Sequence, residues 1–160
     1  MHFDTIHRDN YSFVAEIYRE GIATGVATFE KKVPDWESWN QSHLDFGRIS
    51  CFDSEHMLGW AALSPVSSRC VYGGVAELSV YVSKRARGRG IGKKLVNKVV
   101  EESEQNGIWT IQSSIFPQNK ASYALHLKCG FREIGYKEKV GQLDGRWYDN
   151  ILFEKRSKII

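Results

Sequence analysis

The chain has 160 residues, 42% hydrophobic and 26% charged, with five Trp, seven Tyr and eight Phe. That length and that load of large apolar side chains exclude a disordered chain and suit one folded unit, expected as a single domain over residues 1–160. A formal net charge of +3, spread over dispersed Lys and Arg, is too small to argue for a nucleic-acid partner, but it leaves room for a local anion site.

In chain order, Phe3 to Ile6 reads as a short strand. Phe13, Val14, Ile17 and Tyr18 recur at helical spacing before Gly21 and Gly25. After a loop holding Thr28-Phe29-Glu30, Pro34 and Asp35 start a second helix with Trp36, Trp39 and His43 on one face. His56 to Leu63 and Val75 to Val82 are rich in residues that suit a pleated, half-buried surface, and both read as strands. Ile91, Leu95, Val96, Val99 and Val100 form the apolar stripe of a third helix ended by Gly107. Trp109 to Ile115 is a strand, Asn119 to Lys128 a helix closed by Gly130, and Arg132 to Lys139 and Arg146 to Glu154 are final strands. The order strand, helix, helix, three strands (two of them with the bounds given above), helix, strand, helix, strand, strand is a mixed α/β pattern.

Cys51, Cys70 and Cys129 are odd in number, far apart and without a Cys-x-x-Cys or clustered His, so neither a disulfide framework nor a metal site is indicated. The first eight residues lack a basic region followed by an apolar run, and no stretch approaches the length of a bilayer span. A cytoplasmic protein without a membrane partner is expected.

The most informative segment is Arg87-Gly88-Arg89-Gly90-Ile91-Gly92, between a strand and a helix. Glycines at alternate positions remove side chains where several backbone N–H groups can converge on one anion at the positive end of a helix dipole. Phosphate is the natural guest, and Arg87 and Arg89 add charge. The turn lacks the Gly-Lys-Ser/Thr end of a P-loop, and Trp109 to Ile115 lacks the acidic residue of a dinucleotide fingerprint. An ordinary glycine turn with solvated arginines is the competing explanation.

Arg87-x-x-Gly90-x-Gly92 after a strand resembles the coenzyme A pyrophosphate loop of the GCN5-related N-acetyltransferase (GNAT) superfamily. Pro117-x-Asn119-x-Ala121-Ser122-x-x-Leu125-His126-x-x-x-Gly130-Phe131-Arg132-Glu133 is similar to its last helix and strand. Ala76-Glu77-Leu78-Ser79-Val80-Tyr81-Val82, Ala86-Arg87-Gly88-Arg89-Gly90 and Gly145-Arg146-Trp147-Tyr148-Asp149 resemble the phosphinothricin and methionine sulfoximine acetyltransferase group. The resemblance implies a mixed, mostly antiparallel sheet of about six to seven strands flanked by about four helices, with splayed central strands holding acetyl-CoA. It implies that pantetheine lies along the strand Val80-Tyr81-Val82, bonding the backbone of Val80 and Val82. It also implies that Gly88, Arg89, Gly90, Ile91, Gly92 and Lys93 wrap the pyrophosphate and that Asn119 approaches the pantetheine. Asn119 also precedes a helical run and would serve as its N-cap; the two roles are compatible.

Chemistry on an amine needs a base, because an ammonium has no lone pair with which to attack a thioester. Glu77 stands at the start of the central strand in an apolar neighbourhood, where burial would raise its pKa toward the working pH. The family pattern also puts a glutamate here. Many members place a Tyr where this chain has His126, which could donate a proton to the leaving thiolate, hydrogen-bond near the sulfur, or simply pack in the core. Tyr123 is a weaker candidate for the same duty. Phe29, Trp36, Trp39, Tyr72 and Trp147 could line an aromatic acceptor pocket or be core, and Arg69 could meet a carboxylate. Gly73-Gly74-Val75 departs from the bulkier residues, including a Thr, that the family carries there, which bears on recognition of phosphinothricin itself. The related enzymes are often dimers, with Tyr148-Asp149 a candidate interface. The function expected is acetyl transfer from acetyl-CoA to the amine of a small amino acid or analogue. The alternatives are acetylation of a protein N-terminus or lysine, and a non-catalytic coenzyme A-binding module.

Overall fold

The computed structural model describes residues 1–160. In chain order the main elements are β1 (His2–Thr5), α1 (Tyr11–Ala23), α2 (Trp36–Ser42), β2 (Ile49–Asp53), β3 (His56–Pro65) and β4 (Val75–Val82). They continue with α3 (Ile91–Gln105), β5 (Thr110–Ile115), α4 (Lys120–Lys128), β6 (Arg132–Leu143) and β7 (Arg146–Arg156). The strands form one seven-stranded sheet in the order β1-β2-β3-β4-β5-β7-β6. Every neighbouring pair is antiparallel except β4 and β5, which are parallel and joined through α3. The expected mixed sheet with four helices is therefore the observed architecture.

Two differences from the sequence expectation have physical reasons. β2 carries no clear strand signal in the sequence, because it is buried over Ile49 to Phe52 on both faces and so lacks the polar alternation that marks a half-exposed strand. β6 and β7 run further than expected because Asp144 and Gly145, at φ 49° and 79°, form a two-residue left-handed turn that twists with the strands and closes a hairpin. Lys139, at φ 47°, sits in an irregularity of β6 where the register shifts between Lys137 and Gly141. Asp149 of β7 holds that irregularity, accepting from the Lys139 N–H at 2.7 Å and from the Tyr136 hydroxyl.

Alternation along β4 divides the molecule. Ala76 and Leu78 are buried, with Val80 and Val82 beside them, in a large apolar core built with Ile91, Leu95, Val96 and Val99 of α3. Glu77, Ser79 and Tyr81 point to the other face, where α1 and α2 cover a second core of Val14, Ile17, Trp39 and Trp60. There the Tyr81 ring stacks on Tyr18 at 4.9 Å and on Trp60 at 4.8 Å between centroids.

Helix α2 starts as its sequence suggests, the Asp35 carboxylate accepting from the Ser38 N–H at 2.8 Å. Its far end is closed by the buried Arg48, whose guanidinium donates to the Asn40 carbonyl at 2.9 Å and the His43 carbonyl at 3.0 Å and lies over the Trp39 ring. A cation buried against the negative end of a helix has its charge met by carbonyl oxygens that would otherwise lack donors.

Gly21 of α1 fits flush against Tyr81; a Cβ there would fall 2.6 Å from the ring. Gly21→Val is therefore expected to lower stability by about 1–3 kcal/mol, as overpacking does, read from the urea midpoint at unchanged m-value.

Candidate functional site

β4 and β5 part early. They pair only over Val75–Glu77 against Thr110–Gln112. β4 then stays on β3 until Val82 faces Gly59, while β5 stays on β7 until Ile115 faces Ile151. Past Glu77 each strand therefore presents a free inner edge, with alternate N–H and C=O groups turned into the gap. A cavity of about 990 Å³ fills the wedge, lined by β4 from Glu77 to Val82, by Ser113 to Phe116, by the start of α3 and by α4.

One end of the cavity is built for an anion. Gly88 and Gly90 take left-handed backbone at φ 76° and 74°, a conformation that side chains disfavour, and Gly90 is the residue from which α3 starts. The first helical bond there runs from the Lys94 N–H to the Gly90 carbonyl at 3.3 Å, so the N–H groups of Ile91, Gly92 and Lys93 have no intrahelical acceptor. A Cβ on Gly92 would meet Leu125 of α4 at 3.0 Å, so its small size lets α4 close against this turn. Arg87 and Lys93 line the cavity here, as do Lys120 and Lys128 of α4. Arg89 does not; its guanidinium turns out to Asp53 at 3.3 Å, the last residue of β2.

Glu77 stands at the vertex, on the last residue pair before the strands separate. Burial pushes its carboxyl above the ordinary glutamate range, and the nearby Lys137 charge acts against that rise. His126 of α4 is 2% exposed and lines the cavity. Its Nδ1 lies 2.7 Å from the Ser122 carbonyl, which can only accept, so Nδ1 carries the proton and Nε2 is a bare lone pair, buried without a partner. Burial also pushes the imidazole below its ordinary pKa, which favours the neutral ring. Burial thus opposes the donor role considered for His126 and leaves an acceptor. The Tyr123 hydroxyl is turned away to Glu133 at 3.0 Å. Asn119 is the N-cap of α4, accepting from the Ser122 N–H at 3.1 Å, and also lines the cavity.

The other end of the cavity is roofed by the loop from Thr24 to Phe29. Phe29 packs on Phe116 at 4.7 Å between centroids and fills the space over Gly141, where a Cβ would fall 2.4 Å from its ring. Lys31 pairs with Asp144 at 2.5 Å, tying the same loop to the β6–β7 turn. Phe29 is thus the one member of the expected aromatic set that lines the cavity. Trp36 packs on Tyr11 and Trp39 in the second core. Trp147 is 55% exposed on β7, and Tyr72 is 46% exposed with Arg69 stacked on its ring at 5.6 Å. Their expected place in the acceptor pocket is corrected: Trp36 has apolar partners elsewhere, while Arg69, Tyr72 and Trp147 sit outside the wedge. Sequence reading passed over Asn150 of β7, which lines the cavity with a buried side-chain oxygen lacking any donor. The only available cue was a polar residue amid the apolar run of the last strand. No group of three or more His, Cys, Asp or Glu is placed to hold a metal ion, and no helix is long and apolar enough to cross a membrane.

Residues 10–131 match the model of the acetyltransferase (GNAT) family. The chain belongs to that family. A GNAT enzyme is an acetyl-CoA-dependent acetyltransferase, and the separated strands and glycine turn suit that co-substrate. Among curated relatives, the phosphinothricin N-acetyltransferase of Alcaligenes faecalis is 30% identical over 157 residues, 94% of this chain and 79% of the relative. Among solved structures, a GNAT superfamily phosphinothricin acetyltransferase from Sinorhizobium meliloti, in complex with acetyl-CoA, superposes with a TM-score of 0.87 at 28% identity, covering 97% of this chain and 87% of that one. A ribosomal-protein-alanine N-acetyltransferase from Brucella melitensis superposes with a TM-score of 0.89 at 28% identity, covering 98% and 100%.

Proposed function

We propose that this GNAT enzyme acetylates the primary amine of a small amino acid or amino-acid analogue by direct attack on acetyl-CoA, with Glu77 as general base. The observation that carries the reading is the position of Glu77: a carboxyl held above its ordinary range by burial, at the point where a free strand edge meets an aromatic-roofed chamber.

In this reading pantetheine lies along β4 as an added strand, bonded by the backbone of Val80 and Val82, with the Asn119 carboxamide beside it. The pyrophosphate sits on the N–H groups of Gly90 to Lys93, with Arg87 adding charge. Glu77 takes a proton from the ammonium, and the freed lone pair attacks the thioester carbonyl. Collapse of the tetrahedral oxyanion then expels the thiolate, which takes up the proton that the acylated nitrogen loses. His126 Nε2 serves as acceptor for the S–H of the product thiol. The substrate class follows the relatives named for phosphinothricin, and the roof made by Phe29 and the Lys31–Asp144 pair supports a closed chamber over a groove for polypeptide. Exposed Tyr136, Val140 and Trp147 on the outer β6–β7 hairpin support a homodimer. A dimer should give twice the chain mass by light scattering, and Trp147→Asp should shift it toward monomer.

Thiol release should be measured with phosphinothricin, methionine sulfoximine, methionine sulfone, ordinary amino acids, polyamines and short peptides. Turnover confined to amino-acid-like amines supports the proposal; turnover of peptides alone refutes it in favour of protein acetylation. Glu77→Gln is expected to lower kcat about 10²- to 10⁴-fold with acetyl-CoA affinity unchanged. A glutamate whose folded pKa is raised adds stability below its unfolded pKa and loses it as pH rises through the folded value. The variant's gain in Tm over wild type should therefore be larger at pH 7 than at pH 4. Gly90→Val, which puts a branched side chain in left-handed backbone at about 1–2 kcal/mol, should raise the KM for acetyl-CoA about tenfold or more by tilting the N–H groups off the pyrophosphate.

A further inference from the structure

Strand register brings a second set of polar groups to the face that carries Glu77. Glu77 is opposite Gln112 of β5, and Gln112 is opposite Glu154 of β7. Asn150 lies four residues before Glu154 on β7 and shares its face, and Lys137 of β6 is directly opposite Asn150. Side chains directly opposite in an antiparallel pair stand on one face with Cβ atoms about 5 Å apart. The register is pinned by Asp149, which holds the Lys139 N–H and the Tyr136 hydroxyl.

The two residues have complementary unmet needs. The Asn150 side-chain oxygen is buried at the cavity wall without a donor, an arrangement folded proteins rarely leave unfilled. Lys137 has no carboxylate within ion-pair distance in a molecule whose other exposed cations include several that do, and its charge is felt at Glu77. The cations that line the cavity, Arg87, Lys93, Lys120 and Lys128, belong to the anion-binding turn, α3 and α4. Arg69, expected to meet a carboxylate, is stacked on Tyr72 outside the wedge. Lys137 is exposed and does not itself line the cavity, but it is the cation whose charge acts on Glu77.

We propose that Lys137 and Asn150 together read the acceptor as an α-amino acid. The Lys137 ammonium pairs with its carboxylate, and the Asn150 oxygen accepts an N–H from its amine, presenting the nitrogen to Glu77. An α-amino acid carries N–H donors and a carboxylate on one carbon, a span that suits two side chains rooted about 5 Å apart on neighbouring strands. The proposal rests on the amine acetyltransferase reading above and adds the group that selects the substrate.

The test is calorimetric binding of L-methionine sulfone and of its carboxamide to protein saturated with coenzyme A. Wild type should bind the acid about tenfold or more tightly than the amide, as a charge-assisted contact gives. Lys137→Met should bring the acid down to the level of the amide, while Asn150→Leu should weaken both; unchanged coenzyme A affinity shows that each variant is folded. Equal binding of acid and amide by wild type, an undiminished preference in Lys137→Met, or no binding of either compound overturns the proposal. Failure of the acetyltransferase reading itself would show differently, as no thiol release with any amine while the preference for the acid persists.

Discussion

The early separation of β4 from β5 is the constraint on which the rest of the molecule depends. Two parallel strands that pair over three residues and then diverge leave two polar edges facing each other inside the protein. Each strand can afford this because its other edge is fully occupied, β4 by β3 and β5 by β7. The crossover through α3 then sets the start of that helix at the mouth of the wedge, so the positive end of its dipole and the free edge of β4 open onto one elongated cavity. Open sheets with parallel strands commonly bind ligands where neighbouring strands stop supporting each other; here the strands part within the sheet instead of at its rim.

Electrostatics follows the same geometry. Cations gather around the glycine turn and α4, while the vertex holds a lone half-buried carboxyl. The low-polarity surroundings that raise Glu77 also keep His126 neutral, because burial disfavours whichever form is charged. The Tyr81 phenol, stacked between Tyr18 and Trp60, is raised by the same cause. The Glu77 end of the cavity thus presents the neutral aromatic walls of Phe29 and Phe116 and one carboxyl, with Lys137 of β6 acting on that carboxyl from outside the lining.

Much of this was legible in the sequence where the signal is local. Strand β4, the glycine turn, the Asp35 cap of α2 and the stripe of α3 are all contiguous patterns whose chemistry acts on near neighbours. The place of Glu77 on β4 was legible because it lies inside a contiguous strand motif. What failed was placement across the sheet. Trp36, Tyr72, Trp147 and Arg69 have the chemistry of an acceptor pocket but not the position, because an aromatic or a cation reads the same whether it faces the wedge, the second core or solvent. Arg89 sits in the right motif, yet Asp53 draws its charge away. Lys137 and Asn150 are the converse case: they are thirteen residues apart and are neighbours only because a left-handed Lys139 and the Asp144-Gly145 turn set the hairpin register. A one-residue slip would turn them to opposite faces.

The wedge is also an interruption in the sheet's hydrogen-bond ladder, and this ties folding to metabolism. If an extended thioester cofactor occupies the inner edge of β4, it does so as an eighth strand that the gene does not encode. Any ligand that binds only the folded state stabilises it by mass action, by about 2.7 kcal/mol at a hundred times its dissociation constant. That is a sizeable fraction of the few kcal/mol that hold a small domain together. The amount of folded enzyme in a cell would then rise and fall with the supply of the molecule it consumes, so that the abundance of the protein becomes a record of the acyl donor available to it.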